Sequence, residues 1–66
     1  MLDKLKLKSH RKAAGLTGEQ LGKAVGVSQS VISQYESGLK TPSLEIYGRI
    51  ADKLGVTMDA LRNKEA

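Results

Sequence analysis

The chain has 66 residues, enough for one small domain, and a domain of this size buries only about 60% of the surface that its unfolded form exposes. It has no Cys and a single His, which excludes disulfides and thiolate zinc sites and leaves few candidates for metal binding or nucleophilic catalysis. The net charge of +4 is concentrated at one end: Lys4, Lys6, Lys8, Arg11 and Lys12 stand against Asp3 alone within the first twelve residues, and the rest of the chain balances.

In chain order, the first helix is predicted from Asp3 to Ala14. Leu7, His10, Arg11 and Ala14 recur at i, i+3, i+4 and i+7 and mark its inward stripe. Arg11 is the odd member, because a buried cation needs a partner. Gly15 supplies the left-handed residue that ends a helix, and Leu16 folds back on the last turn. Thr17 and Gln20 have the spacing of a capping box at the start of a second helix, Gly18 to Val25, with Leu21 and Val25 facing inward. Gly22 is a poor helix former and makes sense if another backbone passes close by. Gly26 takes a tight turn, and Ser28 caps a third helix that runs to Ser37 and stops at Gly38.

A loop follows over 38–42, since Pro42 biases Thr41 away from helix. The fourth helix is predicted from Ser43 to Leu54, with Leu44, Tyr47, Ile50, Ala51 and Leu54 as its apolar stripe, and Gly55 closes it. Thr57 then caps a short fifth helix from Met58 to Asn63 that carries Leu61. The tail Lys64-Glu65-Ala66 is expected to fray. No strand signal, repeat or low-complexity segment is present, so the expected architecture is an all-α, five-helix domain spanning 1–66.

The third helix divides into unlike halves at about 100° per residue. Val31, Ile32, Tyr35 and Glu36 fall on one side; Gln29, Ser30, Ser33, Gln34 and Ser37 fall on the other. An ordinary solvent face carries Lys and Glu. This one carries only neutral groups that both donate and accept hydrogen bonds, the chemistry needed to read base edges.

Taken together, Arg11, Gly15-Leu16-Thr17, Glu19-Gln20-Leu21, Val25-Gly26-Val27-Ser28, Ile32-Ser33 and Tyr35-Glu36-Ser37-Gly38 resemble the helix-turn-helix of the Cro/C1 (XRE-type) repressors. The continuation Pro42-Ser43-Leu44, Ile50-Ala51, Leu54-Gly55-Val56-Thr57 and Leu61 is similar to the last two helices of that family. The resemblance covers residues 5 to 63 and implies a lambda-repressor-like DNA-binding domain. In that arrangement the second helix of the motif, within residues 17–37, lies in the major groove, and two-fold dimers bind half-sites about one helical turn apart. It also implies an ion pair between Arg11 and Glu36, both of which the periodicity places on inward faces.

On this reading Gln29, Ser30, Ser33 and Gln34 read bases, with Gln29 able to bond an adenine through N6 and N7. No Arg or Lys projects from that face, so the commonest guanine contact is missing. Phosphates are expected at Thr17 and Gly18, where the second helix offers free N–H groups and the positive end of its dipole, at Ser28, and at Lys40 and Thr41. Two departures from the family stand out. Gly18 replaces the Gln that many phage repressors use to buttress the first Gln of the recognition helix, which implies weaker or less selective reading. His10 occupies a position that is often apolar in the family, and a half-exposed side chain is the expectation there. Tyr35 and Tyr47 read as core residues with a wet hydroxyl end. Ile46, Val56, Met58 and Leu61 form a candidate dimer patch.

The expected function is therefore a sequence-specific transcription regulator of double-stranded DNA: a small dimeric repressor, cytoplasmic, bacterial or phage-encoded. With the domain filling the chain, a Cro-like or controller-like style without an effector domain is expected. The alternative is an antitoxin-type interaction module that also autoregulates its own operator, which a long extra helix or arm would favour. A membrane-surface basic helix is disfavoured by the lack of bulky aromatics in the first helix, and no apolar run approaches the ~18 residues of a membrane span. An enzyme is disfavoured because no acid/base pair, nucleophile or phosphate loop stands out. No cofactor, metal or small-molecule ligand is expected.

Overall fold

The computed structural model describes residues 2–62. Four α-helices follow in order: α1 (Lys4–Ala13), α2 (Gly18–Val25), α3 (Gln29–Ser37) and α4 (Leu44–Leu54). Each starts at a short polar cap whose side chain accepts from the first turn: Asp3 for α1, Thr17 for α2, Ser28 for α3 and Ser43 for α4. These caps satisfy backbone donors that a helix start leaves orphaned, each contributing about 1 kcal/mol. At α2 the box is reciprocal, for Gln20 N–H donates to Thr17 Oγ1 and Thr17 N–H donates to Gln20 Oε1. Gly26, Gly38 and Gly55 close α2, α3 and α4 at positive φ, a conformation that costs a residue with a Cβ.

The core is built from Leu7 of α1, Leu21 and Val25 of α2, Ile32 and Tyr35 of α3, Tyr47, Ile50 and Ala51 of α4, and Leu61 beyond it. Burying each large aliphatic side chain contributes about 1.5–3 kcal/mol before the entropy of ordering it. α2 packs against both α3 and α4, and α1 lies across α3. Gly22 is buried, and a Cβ there would stand 2.6 Å from the Val27 carbonyl oxygen. The missing side chain thus lets α2 press against the entry to α3, fixing how the two helices cross.

Three expectations are corrected. The fifth helix is a single 3₁₀ turn, Asp59–Leu61. Thr57 does cap it, accepting from Ala60 N–H at 3.1 Å, but the Leu61 carbonyl accepts from Asp3 N–H at 2.7 Å and Arg62 turns extended to pair with Leu2. The turn ends there because Arg62 has left helical backbone geometry. Ala14 is exposed, since α1 has ended at Ala13. Leu44 is 76% exposed because it opens α4 on the side away from the core. The tail and Asn63 lie outside the described residues. Among the described residues no helix is long and apolar enough to cross a membrane.

Candidate nucleic-acid interface

α3 turns Ile32 and Tyr35 into the core, with Val31 and Glu36 half-buried at its flanks. Gln29, Ser30, Ser33 and Ser37 are exposed on the other side, and Gln34 is half-exposed beside them. The side chains of Gln29, Ser30, Ser33 and Gln34 hydrogen-bond to no other described residue. A row of neutral amide and hydroxyl groups is therefore presented outward with its donors and acceptors open.

The start of α2 adjoins this row. An ideal Cβ on Gly18 would lie 3.6 Å from Gln29 Cγ and 3.7 Å from Ile32 Cγ2. The capping box engages the N–H groups of Thr17 and Gln20, which leaves those of Gly18 and Glu19 without an intrahelical acceptor. Two backbone donors at a positive helix end thus sit beside the first exposed side chain of α3. Ser28 is exposed, its Oγ accepting from Val31 N–H at 3.2 Å while its own hydrogen stays available to donate.

Beyond α3, Leu39 and Lys40 donate their N–H groups to the Gln34 carbonyl at 2.9 and 3.2 Å, and Pro42 is buried. This pins the loop backbone while Lys40 and Thr41 project into solvent. The far side of α3 is held by Arg11. Its Nε donates to Glu36 Oε2 at 2.6 Å, its Nη2 to Glu36 Oε1 at 3.1 Å, and its Nη1 to the Leu16 carbonyl at 2.8 Å.

A helix-turn-helix family model matches residues 7–61. The chain belongs to the helix-turn-helix family. One relative in this family, from Methanothermobacter thermautotrophicus, is named an uncharacterised HTH-type transcriptional regulator; it is 45% identical over 49 residues, covering 74% of this chain and 71% of its own length. A second, YazB of Bacillus subtilis, bears the same description and is 35% identical over 60 residues, covering 91% and 87%. Among solved structures, the P22 c2 repressor in complex with a synthetic operator superposes with a TM-score of 0.88 at 29% identity, covering 98% of each chain. The same fold recurs inside an enzyme, hydroxypropylphosphonic acid epoxidase from S. wedmorenis, where the match covers 34% of that chain at 25% identity. Shape alone therefore does not give the role; the α3 surface has to.

Within the helix-turn-helix frame, the expected dimer patch needs correction. Leu61 is fully buried in the core and offers no surface to a partner. Ile46, Val56 and Met58 are partly buried against the same core. Exposed Leu44 lies next to Met58 in a surface groove that also includes Tyr47 and Arg62. The Tyr47 hydroxyl donates to the Met58 carbonyl at 2.8 Å. Burial pushes the Tyr47 hydroxyl above its ordinary value, with Asp59 adding to the rise and Arg62 opposing it.

Arg49 escaped the sequence reading. Its Nη2 pairs with Glu45 Oε2 at 2.7 Å, and its Nη1 donates to the Val25 carbonyl at 3.4 Å, at the end of α2. The i, i+4 spacing of Glu45 and Arg49 was the available signal; nothing in the sequence marks a backbone carbonyl as the second partner.

Proposed function

We propose that this helix-turn-helix protein is a DNA-binding transcriptional regulator, acting as a small dimeric repressor that reads operator half-sites through the major groove. The observation that carries the reading is the open face of α3. Gln29, Ser30, Ser33 and Gln34 are neutral, able to donate and accept, and their side chains are unengaged among the described residues. The P22 c2 repressor, similar over nearly its whole length, is described in complex with an operator, and the relatives named above are described as transcriptional regulators.

With α3 in the groove, Gln29 stands nearest the start of α2 and bonds an adenine at N6 and N7, contributing about 1–3 kcal/mol of discrimination. Ser30, Ser33 and Gln34 reach the neighbouring base edges. Phosphates on one side are held by the free N–H groups of Gly18 and Glu19, helped by Thr17 and Ser28, and on the other by Lys40 and Thr41. These contacts set register and affinity, while the base contacts set sequence. Two copies meet through Ile46, Val56, Met58 and the exposed Leu44, and bind half-sites about one helical turn apart.

Selection from a random duplex library at a fixed salt concentration tests this reading. It is expected to enrich a two-fold symmetric motif with at least one A·T pair in each half-site. Enrichment of G·C half-sites only, or of nothing above the input pool, overturns it.

A further inference from the structure

We propose that Lys4, at the start of α1, forms with Lys40 and Thr41 a phosphate-binding groove that grips the DNA backbone from the N-terminal side of the domain. The proposal deepens the DNA-binding reading and rests on it. The first turn of α1 and the loop after α3 enclose a groove of about 420 Å³, whose lining includes Asp3, Lys4, Tyr35, Gly38, Lys40 and Thr41.

Lys4 does not trail into solvent at random. A Cβ on Gly38 would stand 3.2 Å from Lys4 Cδ and 3.4 Å from its Nζ, so the side chain runs directly over the end of α3. Gly38 gives it that path by having no side chain. The ammonium is thereby brought to the negative end of the α3 dipole, and α3 has no basic residue of its own in its last turn. Packing of the stem and attraction to the helix end both favour this placement before any ligand arrives.

The groove keeps a net positive charge, two lysines against the one carboxylate of Asp3. Neither Lys4 nor Lys40 pairs with a carboxylate among the described residues. The one acid in the lining, Asp3, is engaged as the α1 cap, accepting from the N–H groups of Leu5 and Lys6 at 2.9 and 3.3 Å. Two ammonium groups and a hydroxyl thus share one groove at the C-terminal end of α3. A phosphodiester there gains both lysine charges and the Thr41 hydroxyl as partners.

The test is the salt dependence of binding to a duplex enriched by the wild-type chain, with a scrambled duplex of the same length alongside, read by fluorescence anisotropy between roughly 50 and 200 mM salt. Lys4→Met keeps an unbranched stem over Gly38 and removes only the charge. It is expected to lower the slope of log K against log salt by about 0.9, the value of one phosphate contact, and to weaken both duplexes by the same factor. Lys4→Arg is expected to keep the wild-type slope. Lys8→Met, one turn along α1 and outside the groove, is also expected to keep it. An unchanged slope in Lys4→Met overturns the proposal, as does an equal loss in Lys8→Met, which would make the effect a diffuse field of α1. If the wild-type chain enriches no duplex at all, the DNA-binding reading itself fails and this groove falls with it.

Discussion

Arg11 and Glu36 tie the first helix to the last turn of the third through a two-pronged contact, with both side chains nearly buried at 13% and 11% exposure. Because Arg11 also donates to the Leu16 carbonyl, it fastens α1, the entry to α2 and the end of α3 at one point. Taking away one member strands the other charge in a poorly solvated place, which typically costs about 3–5 kcal/mol, whereas replacing both by apolar residues of similar volume is often neutral. Arg11→Met is therefore expected to lose roughly 3 kcal/mol, at the low end because some solvent reaches the pair, and to lower Tm by more than about 10 °C in a domain this small. Arg11→Met with Glu36→Leu is expected to recover much of that loss. Thermal melts of wild type, both single variants and the double settle it, and a double variant that melts no higher than Arg11→Met contradicts the pairing.

Two glycines make opposite predictions under the same substitution. A Cβ on Gly22 would meet the Val27 carbonyl at 2.6 Å, with Ser28 backbone atoms at 3.2 Å. That obstacle is backbone and cannot swing aside. Gly22→Ala is expected to destabilise by about 1–3 kcal/mol despite the better helix propensity of Ala. A Cβ on Gly48 would find only Met58 Sδ, at 3.9 Å, and Gly48→Ala is expected to stabilise by about 0.5–1 kcal/mol. Urea denaturation of the two variants distinguishes them by sign, and a shared sign would place the α2–α3 crossing elsewhere.

The raised Tyr47 hydroxyl makes stability fall in alkali. The folded state holds its proton more tightly than the unfolded state does, so the associated stability is fully present below the ordinary tyrosine value of 10.0 and is lost as the pH rises past it. Ionisation also removes the donor to the Met58 carbonyl. Tyr47→Phe is expected to be less stable than wild type near neutrality and to show a shallower decline above about pH 10. Melting temperatures across the alkaline range check this, and parallel declines in the two proteins would assign the alkaline loss to other groups.

Much of this arrangement is written locally in the chain. Thr17, Ser28 and Ser43 cap, and Gly26, Gly38 and Gly55 stop, through interactions that span three or four residues, so spacing alone reveals them. The odd placement of Arg11 on an inward stripe, together with the family resemblance, was enough to anticipate Glu36. What stayed hidden depends on distant or featureless partners. The extended Arg62 that ends the short 3₁₀ turn pairs with Leu2 across nearly the whole length of the chain. Leu61 sits in a segment too short to show a helical stripe, so its place in the core needed the fold. Lys4 looks like any other lysine of α1 until Gly38 is seen beneath it, and Arg49 finds a carbonyl that has no sequence signature. Within the interface, the neutrality of α3 was legible; the approach of Gly18 to Gln29 needed the fold.

The claim that the open face of α3 reads DNA sequence is tested most directly by Gln29→Ala. Affinities of wild type and variant are compared, at one salt concentration, for a duplex selected by the wild-type chain and for a scrambled duplex of equal length. Gln29 is exposed and its side chain bonds to no other described residue, so its removal is expected to leave the fold intact. The expected result is a loss of about 10-fold on the selected duplex, within the 1–3 kcal/mol of one bidentate contact, and little change on the scrambled one. Equal affinities of variant and wild type for the selected duplex, or equal losses on both duplexes, contradict it.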